Sequence, residues 1–187
     1  MASKAPLVWI DCEMTGLDPD NETIMSLACF VTDHDLNILD EDGYEATIHH
    51  SKEDLDRMGG WCTKHHGDSG LTEACISATT TAEQAADGLL QYIKKYVPNA
   101  RSALLAGNSV HADKSFLVKA PYHIVTDFLH YRILDVSSIK EAARRWAPPE
   151  VLEKAPKKKM LHEARADILE SIEEAKFYRN AFFVQQA

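Results

Sequence analysis

The sequence predicts an α/β fold, a mixed β-sheet flanked by α-helices, and three observations carry that expectation. The first third of the chain alternates apolar, β-rich runs with Asp-, Asn- and Gly-containing turns, the pattern of antiparallel strands. The remainder alternates shorter apolar runs with helical periodicity, which calls for strands joined by helical crossovers. No repeat, low-complexity tract or dividing linker interrupts the 187 residues, so residues 1–187 are expected to form a single domain. With 45% hydrophobic residues the chain has the material for a full core.

Leu7 to Ile10 opens the first strand, which runs into Asp11-Cys12-Glu13-Met14-Thr15-Gly16. Asp18-Pro19-Asp20-Asn21 is turn chemistry, and Ile24 to Thr32 is a mostly apolar second strand. A turn at Asp33-His34-Asp35 leads to Leu36-Asn37-Ile38-Leu39 and then to Tyr44–His49, together an antiparallel meander. A polar helical stretch begins near Ser51. Thr81-x-x-Gln84 forms a capping box before an amphipathic helix whose apolar positions are Ala82, Ala85, Ala86, Leu89, Leu90 and Ile93; Pro98 closes it. Ala103 to Ala106 is a short strand and Tyr131 to Val136 another, with Ser138-x-x-Glu141 expected to cap the helix ending near Trp146. A lysine loop, Pro156 to Lys159, precedes a last helix from about His162 to Phe182.

The net charge of −9 excludes a broad basic surface for gripping long nucleic acid, though a short one can be held locally. The four cysteines form no CxxC pair and read as reduced thiols of a cytosol- or matrix-like compartment. No apolar run approaches the roughly 20 residues that span a bilayer. The N-terminus passes directly into a strand, leaving no room for a signal or transit peptide, although a precursor could have lost one.

The chemistry starts at the end of the first strand. Residues i and i+2 share a face, so Asp11 and Glu13 project together. Two like charges at about 4 Å repel by on the order of 4 kcal/mol at an effective dielectric of 20. A divalent cation between them answers that cost; a solvated strand end is the alternative. Asp113 opens the helix after Gly107-Asn108, either as a site acid at a strand end or as an ordinary first-turn acid. Asp167 lies on the apolar side of the last helix beside Ala164, Ile168 and Ile172, where an acid needs a reason. His162 precedes it, and a neutral imidazole suits proton abstraction at neutral pH. His65-His66 does not make a zinc site, because adjacent residues rarely face one ion and no Cys or acid is suitably spaced.

Asp-x-Glu in the first strand, Asp113, and His-x-Ala-x-x-Asp in the last helix together resemble the DEDDh 3′→5′ exonucleases. The blocks WIDCEMTGLD, WCTKHHGDSGL, LAGNSVHADKSFL, HYRILDVSSIKE and HEARADILESIEEAKFYRN sharpen the resemblance to the oligoribonucleases, nearest their eukaryotic mitochondrial or cytosolic branch, over essentially the whole chain. The resemblance implies an RNase H-like fold. It implies Asp11, Glu13, Asp113 and Asp167 as ligands of two divalent cations, Mg²⁺ or Mn²⁺, with His162 as general base. Such a pair, roughly 3.5–4 Å apart, stabilises both the attacking and leaving oxygens of an in-line phosphoryl displacement. The implied reaction releases nucleoside 5′-monophosphates from the 3′ end of very short single-stranded RNAs, down to dinucleotides. The alternatives are a DEDDh exonuclease for longer RNA or DNA, and a non-catalytic interaction module on the same scaffold. The implied location is cytoplasmic and/or mitochondrial.

Substrate positions follow from the same resemblance. Leu17 would wedge between two bases, or be an ordinary turn hydrophobe. Trp61 and His66 would stack on bases, with Trp61 as a core residue the alternative. Ser109, Arg132 and Ser137 would hold the 5′ phosphate, Arg132 by its planar fork. Tyr131 would enter the partner's site in a homodimer. One departure stands out: the second strand is expected to carry an acid where this chain has Ser26.

Overall fold

The computed structural model describes residues 4–156 and 163–184. Strands β1 (Leu7–Met14), β2 (Ile24–Thr32) and β3 (Tyr44–Thr47) come first. Helices α1 (Lys52–Leu55), α2 (Gly60–Asp68), α3 (Leu71–Ser77) and α4 (Ala82–Tyr96) follow. Then come β4 (Leu104–Gly107), α5 (His111–Leu117), α6 (His123–Phe128) and β5 (His130–Asp135). Helices α7 (Val136–Trp146), α8 (Pro149–Leu152) and α9 (Ala164–Phe182) complete the described residues. The sheet order is β3-β2-β1-β4-β5. β2 runs antiparallel to both β1 and β3, while β4 is parallel to β1 and β5, giving the mixed sheet of the sequence expectation.

Strand alternation divides the core into two faces. Val8, Ile10 and Cys12 point with Leu27, Cys29 and Val31 toward Leu89 and Ile93 of α4. Trp9 points the other way, with Ala28 and Phe30, toward Val136 of α7 and Ile168 and Ile172 of α9. β1 and β2 are central strands covered on both faces, which is why they read as nearly continuous apolar runs. The period of two then sends Asp11 and Glu13 to the α9 side, below Trp9.

Local signals set several boundaries. Thr81 accepts from the Gln84 amide and completes the capping box of α4. Two expectations are corrected. Leu36–Leu39 contributes only a single bridge, Thr32 to Ile38, because Asp33 draws the chain into a tight turn by accepting from the Asp35 and Asn37 amides. Helix α7 is capped by Asp135, not Ser138; the carboxylate at the end of β5 accepts from the Ser137 amide and starts the helix three residues earlier. Lys157, Lys158, Lys159 and His162 lie outside the described residues.

Candidate active site

Helix α9 delivers Asp167 to the face of β1 that carries Asp11 and Glu13. Its buried stripe, Ala164, Ile168 and Ile172, packs on Trp9 and Ala28, so the helix axis is fixed by apolar contact. Its first turn is tied down by Arg165, which donates to the Glu41 and Asp42 carbonyls, pairs with Glu45 at 2.8 Å and lies over the Phe30 ring. The result is that Asp11, Glu13 and Asp167 each offer one oxygen, all within 4.8 Å of one another.

Asp113 arrives from the first turn of α5 and stands beside this trio. Its Oδ1 accepts from the Cys12 amide at 2.9 Å, so the residue between Asp11 and Glu13 fixes the fourth acid. Burial drives the Asp113 carboxyl from 3.8 up to about 7; the Cys12 amide, its own amide and His111 oppose the rise, and Asp135 adds to it. Glu13 rises from 4.5 to about 7, first from burial and then from the charges of Asp167 and Asp113. Three carboxylates from β1 and α9 thus share one small volume, and Asp113 of α5 stands close enough for its charge to raise Glu13, with oxygen as the donor atom throughout. That donor set and that mutual repulsion suit hard divalent cations.

Ser26 occupies the ladder position directly opposite Glu13, and the two line a cavity of about 420 Å³ with Thr47, Ala164 and Arg165. Opposite ladder partners share a face, so an acid at 26 would have added another charge against Glu13. The hydroxyl relieves that contact.

The other expected positions divide by exposure. Leu17 is 86% exposed in the loop after β1, and Trp61 is 66% exposed with its ring stacked on His65 at 4.6 Å. A core role for Trp61 is therefore excluded. His66, in contrast, is buried, and its Nε2 donates to the Met14 carbonyl at 2.9 Å. Burial, the larger effect, and His65 lower its pKa while that carbonyl raises it. The expected stacking role finds no open ring face here; His66 pins α2 to the end of β1 instead. Tyr131 and Arg132 are exposed on the edge strand β5, Tyr131 stacked on His130 and the Arg132 guanidinium 5.1 Å from the Tyr131 ring.

Ser109 and Ser137 come together across the β4 and β5 ends, with their hydroxyls 3.1 Å apart. Asp135 Oδ1 holds both residues, accepting from the Ser109 and Ser137 amides at 2.9 Å each. Ser109 sits at φ +52°, in the left-handed region that a non-glycine residue keeps only when its surroundings fix it. The sequence does not single out Asp135, because it lies inside the expected strand Tyr131–Val136 and the cap is expected at Ser138. Glu174 was missed too, yet it is an acid on the buried stripe of α9, the same signal that singled out Asp167.

Comparison with known proteins agrees with this geometry. A family model described as exonuclease matches residues 8–175. The S. pombe protein Pop2p, solved in an Mg²⁺- and Mn²⁺-bound form, superposes with a TM-score of 0.71 over 96% of this chain and 84% of its own at 12% identity, a likeness of fold. The fold is that of the RNase H-like exonucleases. The mitochondrial oligoribonuclease of Bos taurus is 50% identical over 177 residues, 95% of this chain and 73% of that one. The probable oligoribonuclease of Schizosaccharomyces pombe is 48% identical over 178 residues, 95% of this chain and 68% of that one. The chain belongs to the oligoribonucleases, within the exonuclease family. It is accordingly a hydrolytic 3′→5′ exoribonuclease, of a family that depends on divalent metals.

Proposed function

We propose that the chain removes nucleoside 5′-monophosphates from the 3′ end of very short single-stranded RNAs, down to dinucleotides. The observation that carries this reading is the meeting of Asp11, Glu13 and Asp167 within 4.8 Å, with Asp113 beside them. These four acids would hold two divalent cations, Mg²⁺ or Mn²⁺. When bound, such ions supply Lewis-acid stabilisation of the charge that builds on the phosphate. Asp113 is oriented for its part by the Cys12 amide, and Asp167 by the packing of α9. His162, outside the described residues, is assigned as the base that takes a proton from the attacking water, on its place in the motif that ends at Asp167.

Leu17 and Trp61 offer exposed apolar surfaces to the bases, and aromatic faces bind any base at about 1–3 kcal/mol each. Ser109, Ser137 and Arg132 are assigned to the 5′ phosphate, which restricts the substrate to lengths that reach both ends of the site. His66 supports this surface from beneath by fixing α2. Relatives named as mitochondrial support a mitochondrial location. No described helix is long and apolar enough to cross a membrane.

A dinucleotide incubated with Mn²⁺ should yield 5′-monophosphate, and chelator should stop it. Hydrolysis of a longer oligomer with no reaction of the dinucleotide would overturn the short-substrate reading. The active unit is proposed to be a homodimer in which Tyr131 reaches the partner's site, since its ring is 69% exposed on an edge strand. Tyr131→Ala should then lower turnover of a dinucleotide by roughly ten- to a hundredfold, the value of one stacked base. A fully active variant, or a fully active monomer by gel filtration, would contradict the shared site.

A further inference from the structure

We infer that Asn108 and Glu174, with Lys140, are positioning residues that set the preference for a 5′-phosphorylated substrate by holding the Ser109–Ser137 hydroxyl pair. The inference rests on the phosphate role proposed for those serines. The starting observation is Glu174, a carboxylate only 2% exposed on the inner stripe of α9. An acid so placed is tolerated only with its oxygens satisfied. Lys140 of α7 pairs with Oε1 at 2.9 Å, Tyr178 donates to the same oxygen at 3.3 Å, and Asn108 Nδ2 donates to Oε2 at 3.1 Å.

Asn108 is what this carboxylate controls. The two protons on Nδ2 go to Glu174 and to Ser171 Oγ, the latter at 2.8 Å. The amide cannot turn over, because that would set Oδ1 against the Glu174 oxygens. Oδ1 is therefore aimed the other way, where it accepts from the Ser137 hydroxyl at 3.1 Å. Ser137 Oγ in turn meets Ser109 Oγ at 3.1 Å. With the Ser137 proton committed to Asn108, Ser109 is the donor of that last bond, and its proton is the one an incoming phosphate oxygen takes up. The backbone of the pair is held by Asp135, the side chains by Asn108, and the orientation of Asn108 by a buried ion pair.

The network adds to the seating of the Asp167 helix, but the apolar stripe on Trp9 and Ala28 is what fixes that helix. Ser171 donates its own proton to the Asp167 carbonyl at 2.7 Å, and Asn108 uses only a lone pair of that hydroxyl. Removing the amide leaves that bond in place. Loss of the network should consequently be felt at the phosphate and not at the scissile bond.

The test compares kcat and KM for a 5′-phosphorylated dinucleotide and its 5′-hydroxyl counterpart, in the wild type, Asn108→Ala and Glu174→Gln. The wild type should prefer the phosphorylated form. Both variants should lose about tenfold of that preference, equivalent to about 1.4 kcal/mol. The loss should fall in KM for the phosphorylated substrate, with the 5′-hydroxyl substrate turned over within about threefold of wild type. Glu174→Gln keeps the size and polarity of the side chain, so it reports on orientation even if Asn108→Ala folds poorly. A preference that survives in both variants overturns the inference alone, as does an equal loss on both substrates. A wild type indifferent to the 5′ phosphate overturns the phosphate reading and the inference with it.

Discussion

Asp167→Asn is expected to reduce hydrolysis by on the order of a thousandfold or more, about 4 kcal/mol of barrier, while leaving the cation-free protein at least as stable as the wild type. The two effects have opposite signs for one reason. Asp167 is one of three carboxylates whose oxygens lie within 4.8 Å, and its charge helps to raise Glu13. At that separation each like-charged pair costs on the order of 3 kcal/mol at an effective dielectric of 20, less where solvent reaches it. Asparagine keeps the shape and removes the charge, so the folded protein loses a repulsion as well as a cation ligand. Asp11→Asn should behave in the same way. The measurement is a pair: initial rate on a dinucleotide, and the melting temperature in chelator. Near-wild-type turnover in either variant would remove the metal role; a large drop in melting temperature would mean that the acids are held by contacts that outweigh their repulsion.

A second large effect is expected from pH. Glu13 titrates near 7 in the folded chain against an ordinary 4.5, and Asp113 near 7 against 3.8. Between those limits the folded protein keeps protons that the unfolded chain has released, so it binds more of them. Stability of the cation-free protein must then fall as pH rises through that window, and the full penalty is present above about 7. Each unit of displacement is worth about 1.4 kcal/mol, so the loss should reach a few kcal/mol. Divalent cations compete with those protons and should reverse the trend. Thermal shifts on adding Mg²⁺ or Mn²⁺ should be small near pH 5 and several degrees larger near pH 8. A shift independent of pH would show that the acids do not bind the ions as a cluster.

The acids that meet at the end of β1 are largely legible in the sequence. Asp11 and Glu13 were readable because strand alternation is a local rule, and Asp167 because an acid on an apolar helical stripe is conspicuous. The oligoribonuclease blocks alone point to Ser109, Ser137 and Tyr131, whose roles at the substrate are proposals. Asp113 was ambiguous in one dimension, since a first-turn acid and a site acid look alike. The packing of α5 on the β1 face and the bond from the Cys12 amide bring it to the site. His66 reads as an aromatic available to bases, yet it is buried against Met14, because exposure depends on how α2 lies on the strand end. Ser138 offered a plausible cap and lost to Asp135, which the register of β5 against β4 sets at the helix start.

By itself the sequence determined the family, the alternation that pairs Asp11 with Glu13, and the elements that carry each acid, because periodicity and capping act between residues a few positions apart. Tertiary structure alone decided which distant groups meet. The order β3-β2-β1-β4-β5 and the seating of α9 bring Asp113 and Asp167 to β1, raise Glu13, and route Glu174 through Asn108 to the serine pair. Charge coupling and hydrogen bonding depend on distance through space, and no local pattern in the chain records that distance.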